Sequence, residues 1–481
     1  MLQRQPTTDF PLTPPLYGQR DASKNLDRYN VDEYEVPSRL GVLKNLDKFD
    51  SEFFSVHAKQ ATILDPRIRF LLEVTYEAII DAGINPVTIQ GSKTGVFLGG
   101  SEGEAGTIWK RSTTKPNMYG ILGNVLSMMA NRLSYTFDFN GPSYVVDTAC
   151  SSSSVALQQA LHAIRTGLCD AAIVAGAHIH HDPIASYCFH YLKMTSKDGK
   201  CKSFDASADG YVRAEAAVAL YLCKKQNAKR SYATFVHAAT NNDGYKEQGI
   251  TFPCEKQQEV VIRQVYEECG ISPNDVDYLE AHGTGTKVGD PEEMFAVTKV
   301  FCEGRTRPLV VGSVKSNMGH PEPVAGLCGV AKVLLSHHAG VLPPNLHYTD
   351  PNPEIPVLHD GRVTIVDKIT PFNAKYVGFN SMGFGGTNVH MLLKLTPKEE
   401  TLKIWKPKIP LILNFSGRTQ EAVETFLQTA LTRQQNQNFV RLTQEIQKYD
   451  IPRHPFRGYV IVTPEKAEIQ EIRGEISSSL G

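Results

Sequence analysis

At residues 145–161 the chain reads VVDTACSSSSVALQQAL. A β-branched run stops at Asp147-Thr148-Ala149, and Cys150 opens a helix whose first turn is rich in serine. Such a strand–turn–helix junction constrains everything around it. The strand must lie in a sheet, the helix must pack back over that sheet, and the residue at the bend is lifted out at the helix N-terminus. Short apolar strands and amphipathic helices alternate on both sides of the junction. Strand patterns fall at 94–98, 144–146, 171–175, 217–222, 233–239, 309–311, 376–379 and 389–393. Helical patterns fall at 65–82, 150–165, 255–269, 292–301 and 325–338, and in the first of these Ile68, Leu71, Leu72, Thr75 and Ile79 share one face. The expectation is an α/β layered domain. Residues 1–38, polar and dotted with proline, read as a loosely held N-terminal arm. Near residue 395 the character changes, and 396–481 reads as a small α/β appendage with a helix at 421–431 and a strand at 459–462. Its end, EIRGEISSSLG, offers no closing element.

The 481 residues carry 50 basic and 51 acidic side chains, so bulk charge gives no argument for nucleic acid or anionic membrane. No run of about 18 apolar residues marks a membrane span. The nine cysteines include no CxxC pair, which favours reduced thiols over a disulfide framework or zinc ribbon and a cytoplasmic location.

Four clusters can carry chemistry. Cys150 sits where unpaired amides and the positive end of a helix stabilise a thiolate, which predicts a lowered pKa; taken alone it is equally a buried structural cysteine. EAHGTGTKVGDP at 280–291 places His282 after an apolar stretch, with the hydroxyls of Thr284 and Thr286 following. Position 288 is Val, so no GxGxxG fingerprint is completed. VVGSVKSNMGHPEP at 310–323 brings Lys315 and His320 to another strand end, and GFNSMGFGGTNVH at 378–390 is a glycine-dense loop around Phe384. Singly, each histidine reads as structural and the loop as a connection. Together they stand at strand ends of one α/β region, where active sites gather. The pairs His180-His181 and His337-His338 point in different directions from neighbouring positions and read as solvated or packing residues, so no metal site is expected.

In order along the chain, DTACSSS at 147–153, EAHGTGT at 280–286, KSNMGH at 315–320 and GFGGTN at 383–388 resemble the signatures of the β-ketoacyl synthase family of the thiolase superfamily. GTKVGDP at 285–291 and GHPEP at 319–323 are similar to the ketosynthase of animal-type fatty acid synthase, and the likeness runs over about 34–395. It resumes at PFRGYVIV, 455–462, which resembles the linker leading into an acyltransferase. The resemblance implies a thiolase-like layered αβαβα duplicated fold, with the ketosynthase domain at 39–395 and a linker domain at 396–481. It implies that Cys150 accepts an acyl chain from acyl carrier protein, while His282 and His320 bind the malonyl thioester carbonyl and promote its decarboxylation. The amides of Cys150 and Phe384 would form the oxyanion hole, with Phe384 also gating the acyl channel. Lys315 would tune the histidines, and Thr284 and Thr286 would line the phosphopantetheine path. On the same resemblance the chain would bind no cofactor or metal of its own, the phosphopantetheine being carried by the acyl carrier protein. A homodimer and an acyltransferase domain of a larger polypeptide are the implied partners.

Two positions depart from the family pattern. An apolar first strand, taken to be central in the first half of the fold, has no counterpart in residues 1–36, and Met382 stands where an aromatic residue is common. No transferase elbow, reductase fingerprint or carrier serine motif is present, so a complete synthesis by this chain alone is not expected. A polyketide-type ketosynthase and a catalytically silent dimerisation or docking fragment are the alternatives. A cysteine hydrolase would leave the second histidine and Lys315 unexplained.

Overall fold

A computed structural model of the chain describes residues 20–21, 36–37, 39–111, 119–397, 406–463 and 467–473. Helix α1 (Pro66–Asp81) starts where its sequence dictates. Asp65 caps the first turn by accepting from the Arg67 amide, proline takes the first helical position, and Ile68, Leu71, Leu72, Thr75 and Ile79 are buried. The face expected from the spacing is the face that packs.

The first sheet holds β1 (Thr94–Gly99), β2 (Ser143–Val146), β3 (Ala171–His178) and β4 (Ala216–Cys223) in the spatial order β2-β1-β3-β4. β1 runs parallel to β2 and β3, and β4 is antiparallel to β3. The second sheet contains β5 (Ala233–Asn242), β6 (Tyr278–Glu280), β7 (Leu309–Gly312), β8 (Val363–Ile365), β9 (Tyr376–Met382) and β10 (Thr387–Leu395). Its order is β8-β7-β6-β9-β10-β5. Strands β7-β6-β9-β10 repeat the order and directions of β2-β1-β3-β4. The fold is therefore duplicated.

Five layers follow from how the cores are shared. Helices α3 (Ser152–Arg165) and α7 (Ala325–Ala339) lie between the sheets, in a core built from both: Phe97 and Val174 on one side, Val377 and Val389 on the other. α1 and α2 (Leu126–Phe137) cover the outer face of the first sheet. α5 (Glu255–Cys269) and α6 (Gly289–Phe301) cover that of the second. The αβαβα arrangement implied by the motifs is the one observed.

The duplication corrects one expectation. In the second half the strand that precedes the repeat, β5, lies at the sheet edge, antiparallel to β10. Its counterpart in the first half belongs outside β4, so the first strand sought in 1–36, a segment mostly outside the described residues, takes an edge place and not a central one. Among the described residues no strand pairs with the outer edge of β4. The effect shows in burial: β10 is almost wholly buried, whereas seven of the eight residues of β4 are half-buried. Both faces of β4 still pack, Val218, Leu220 and Leu222 against the middle core and Ala217, Ala219 and Tyr221 against the outer one. Among the described residues the buried strands β1 and β3 are paired on both sides.

The appendage forms its own antiparallel sheet from β11 (Leu411–Gly417), β12 (Phe456–Val462) and β13 (Ala467–Arg473). It is covered by α8 (Gln420–Arg433) and α9 (Gln437–Ile446) over Leu413, Val423, Leu427, Val440 and Val460. β11, β13 and α9 lie outside the sequence expectation, and β13 ends on the Glu471-Ile472-Arg473 that reads as featureless tail. Antiparallel strands with one open face carry too few apolar residues to stand out in a polar stretch. The appendage leans on the first half through Asn85, whose Nδ2 donates to the carbonyls of Ile446 and Tyr449, both at 3.0 Å, and through Arg418 with Asp50 at 3.0 Å.

Candidate active site

The serine-rich turn is the scaffold of the elbow. Ser151 Oγ donates to Thr148 O at 2.9 Å, Ser152 Oγ donates to Ala149 O at 2.6 Å, and the Thr148 amide donates back to Ser152 Oγ at 2.9 Å. These bonds hold Ala149 at φ +56°, a left-handed conformation an L residue adopts only when its surroundings over-determine it. Close approach completes the packing. A Cβ at Gly99, the end of β1, would sit 2.4 Å from Ser153 Cα, so only glycine lets α3 start where it does. A Cβ at Gly383 would sit 2.5 Å from Thr148 O, so the 383–386 turn can lie directly against the elbow.

Cys150 therefore emerges at the wall of a cavity of about 990 Å³ that is also lined by His282, His320, Thr284, Thr286, Met382 and Phe384. Three separate strand ends deliver these groups. His282 follows β6, His320 follows β7 after a short helical turn, and Phe384 lies between β9 and β10. The imidazoles of His282 and His320 meet edge to face with centroids 5.5 Å apart.

Hydrogen bonds assign both histidine tautomers. His282 Nδ1 accepts from the Met382 amide at 3.3 Å, and His320 Nδ1 accepts from the Glu322 amide at 3.3 Å. Each ring must then carry its proton on Nε2. The His320 Nε2 is buried and meets no partner in the protein. Burial, aided by the charge of Lys315, holds both imidazoles well below the usual histidine pKa, so both are neutral donors at neutral pH.

Lys315 is buried and does not line the cavity. Its Nζ donates to the His282 carbonyl at 2.6 Å, and burial lowers its own pKa. It lies behind the histidines, bonded to the backbone of His282 and lowering the pKa of both rings by its charge. The Thr284 and Thr286 hydroxyls lie 3.1 Å apart on the cavity wall. The Phe384 ring is 40% exposed and stands edge-on to Phe189 at 6.1 Å, while its amide and that of Cys150 both favour a thiolate at Sγ.

The cysteine itself corrects the sequence expectation. Its pKa is pushed up to about 12, because burial and the nearby Glu322 carboxylate outweigh Lys315 and the two amides. A helix N-terminus lowers a thiol only while water or a cation helps to solvate the anion. The expected consequence is measurable. Alkylation of Cys150 by iodoacetamide in the substrate-free protein should be slow at pH 7 and climb about tenfold per pH unit to pH 9. A rate that levels off below pH 8 would mean the thiolate is already formed.

A charged cluster on the same wall has no signature in the sequence. Arg213 bridges Glu322 (Nε–Oε1 2.6 Å) and Glu104 (Nη2–Oε1 3.3 Å), and His178 Nε2 approaches Glu322 at 3.1 Å. Arg213 and either carboxylate are 109 residues apart, and pairing at that range leaves no local pattern. Of these residues only Glu322 lies within one of the four motif clusters. His180 is buried edge-on against His178 at 4.6 Å, and its Nδ1 lies 3.6 Å from Glu104 Oε1, so it joins this charged cluster, whereas the sequence reads the His180-His181 pair as solvated or packing residues. His337 is buried too, bonded to Thr396 O at 2.7 Å, while His338 is exposed. Among the described residues no cluster of His, Cys, Asp and Glu could hold a metal, and no helix is long and apolar enough to cross a membrane.

Three family models match in sequence along the chain: the β-ketoacyl synthase N-terminal domain at 15–228, its C-terminal domain at 232–349, and the ketoacyl-synthetase C-terminal extension at 351–461. Fatty acid synthase of Anser anser anser is 51% identical over 314 residues, 65% of this chain and 89% of the relative. A phenolphthiocerol/phthiocerol polyketide synthase of Mycobacterium tuberculosis (strain CDC 1551) is 41% identical over 362 residues, yet the chain spans only 19% of that protein. Among solved structures, the oxazolomycin ketosynthase domain of Streptomyces albus JA3453 superposes with a TM-score of 0.80 at 28% identity, covering 93% of this chain and 80% of that one. The ketosynthase from module 6 of the bacillaene synthase of Bacillus subtilis 168 gives 0.77 at 29%, covering 92% and 77%. A cysteine elbow, two neutral imidazoles and a duplicated five-layer body thus coincide with matches along most of the sequence, and the chain belongs to the β-ketoacyl synthase family of acyl-transferring condensing enzymes.

Proposed function

We propose that this chain extends acyl chains by two carbons in fatty acid synthesis, taking both substrates as thioesters on the phosphopantetheine arm of an acyl carrier protein. In the first half-reaction Cys150 Sγ attacks the acyl thioester. The carbonyl oxygen becomes an oxyanion between the amides of residues 150 and 384, and the thiol proton leaves with the departing pantetheine sulfur. In the second, a malonyl thioester enters with its carbonyl at the two Nε2–H donors. Loss of carbon dioxide moves an electron pair onto that oxygen, where neutral donors stabilise it without having protonated it beforehand. The enolate carbon then attacks the acyl-Cys150 carbonyl and expels the cysteine sulfur, giving a β-ketoacyl thioester. The observation that carries this reading is the buried, unpartnered Nε2 of His320, beside His282 and in one cavity with Cys150.

Thr284 and Thr286 would hydrogen-bond the pantetheine amides, and Lys193, Lys197 and Lys287 on the same wall suit its phosphate. Among the described residues the second edge of β2 is open, and β2 shows a half-exposed Tyr144, which suits pairing with a second copy in a homodimer. We divide the chain at about 395 into a ketosynthase body and a linker that leads to an acyltransferase domain. Nine free thiols suit the reducing cytoplasm.

The higher identity to a fatty acid synthase favours that product class over the polyketide alternative. A silent docking role would not require the assembled cysteine and histidine pair. Incubation with radiolabelled acyl-pantetheine should label the peptide containing Cys150, and malonyl-pantetheine should then release the label as a β-ketoacyl thioester two carbons longer. Labelling without extension would exclude the condensing role. Extension of branched or polyhydroxylated starters in preference to straight saturated chains would favour the polyketide reading.

A further inference from the structure

The turn bearing His320 is held in an unusual way. Glu322 lies between Pro321 and Pro323 at φ +45°, a region that L side chains rarely adopt. That conformation aims its amide at His320 Nδ1. The amide bond is what leaves the ring proton on Nε2, facing the cavity.

Arg213 grips this turn with side chain and main chain together. Its guanidinium donates to both Glu322 oxygens, Nε to Oε1 at 2.6 Å and Nη2 to Oε2 at 3.2 Å, a two-pronged geometry that fixes the carboxylate plane. Nη1 donates to Ser186 Oγ at 2.7 Å and to Glu104 Oε1 at 3.3 Å, and the Phe189 ring lies 5.7 Å from the guanidinium carbon. The fork is thereby anchored on the far side. On the main chain, the His320 amide donates to Val212 O at 2.7 Å and the Ala214 amide donates to His320 O at 2.9 Å. The residues on either side of Arg213 therefore hold the histidine backbone, while the Arg213 side chain holds the residue that sets the ring's tautomer.

We propose that Arg213 and Glu322 are positioning residues for His320: the ion pair locks the 320–322 turn so that the imidazole presents Nε2–H to the malonyl carbonyl. Neither touches the reacting atoms in this role. A packing ion pair alone would not need to lie on the histidine's own turn, nor to stabilise a left-handed glutamate whose amide bonds the ring. Cys150 and the amides of residues 150 and 384 belong to a different element, so the clamp bears on acyl loading only through the Glu322 charge beside the thiol, and Arg213→Gln leaves that carboxylate in place. The inference rests on reading His320 as the decarboxylation donor.

The test measures two rates on the full chain: carbon dioxide release from malonyl-pantetheine, and loading of labelled acyl-pantetheine on Cys150. Arg213→Gln should lower the decarboxylation kcat about 100-fold, the scale of losing one aligned oxyanion donor, with loading changed less than about threefold and Arg213→Lys in between. Glu322→Gly, which adopts positive φ without a clamp, should decarboxylate faster than Glu322→Ala, which is strained there once the clamp is gone. In 15N-histidine spectra the His320 signals should show protonated Nε2 and bare Nδ1 in the parent and a mixture of tautomers in Arg213→Gln. Parent-like decarboxylation in Arg213→Gln, or equal loss of both rates, would overturn the clamp. His320→Ala is the separate control. If it decarboxylates normally, the role given to His320 fails; if it is impaired while Arg213→Gln is not, only the clamp fails.

Discussion

Replacing Cys150 with alanine abolishes acyl loading, by at least about 10⁴-fold, and leaves malonyl decarboxylation running. The asymmetry follows from how the site is assembled. No other atom in the cavity can form the acyl thioester, so the first half-reaction has no substitute nucleophile. The elbow does not depend on the sulfur: its shape comes from the hydroxyls of Ser151 and Ser152 and the left-handed Ala149. An alanine therefore keeps the amides of residues 150 and 384 in place, together with the two imidazoles across the cavity. Carbon dioxide release from malonyl-pantetheine, measured against acyl loading on the same preparation, is the check. Acyl label retained by the variant would place the nucleophile elsewhere.

His320→Ala reverses the pattern. Decarboxylation falls about 10²- to 10³-fold, the loss that follows removal of one donor from an oxyanion site, and loading changes only several-fold. His282 still donates, which keeps the loss from being total. The pH profile carries the same information. A histidine is neutral above its pKa, and burial and Lys315 depress both values well below 6.5. The donors therefore stay neutral as pH falls from 8 to 6, and decarboxylation by the parent should not decline across that window. A fall centred near 6.5 would mean a solvated histidine controls the step.

The layered fold was legible because its determinants are local. The buried stripe of α1 recurs at helical spacing, and strands such as Ala171–His178, buried at every residue, read as continuous apolar runs. The helices α2 and α4 (Ile184–Tyr191) did not stand out as elements. The latter is short, and its tyrosines at 187 and 191 remain exposed, so no polar face marks its period. Site residues were legible as motifs, and the cavity brings together Cys150, His282, His320, Phe384, Thr284 and Thr286. What the motifs did not carry was the electrostatic balance. The raised thiol and the Arg213–Glu322 pair depend on burial and on neighbours more than a hundred residues away, and neither is written in any short window.

The rim of β4, uncovered among the described residues, bears on how the protein behaves in bulk. From Ala216 to Cys223 it has neither a charge nor a proline to discourage a passing strand, and the first lysines, Lys224 and Lys225, come only after the strand has ended. Apolar and eight residues long, such a rim suits the addition of extended polypeptide, from this chain's own residues or from another molecule. The composition that fuses the strand to two hydrocarbon layers thus sets colloidal behaviour against chemistry: whatever leaves that rim bare in concentrated solution would let a neighbouring molecule become the next rung of a ladder.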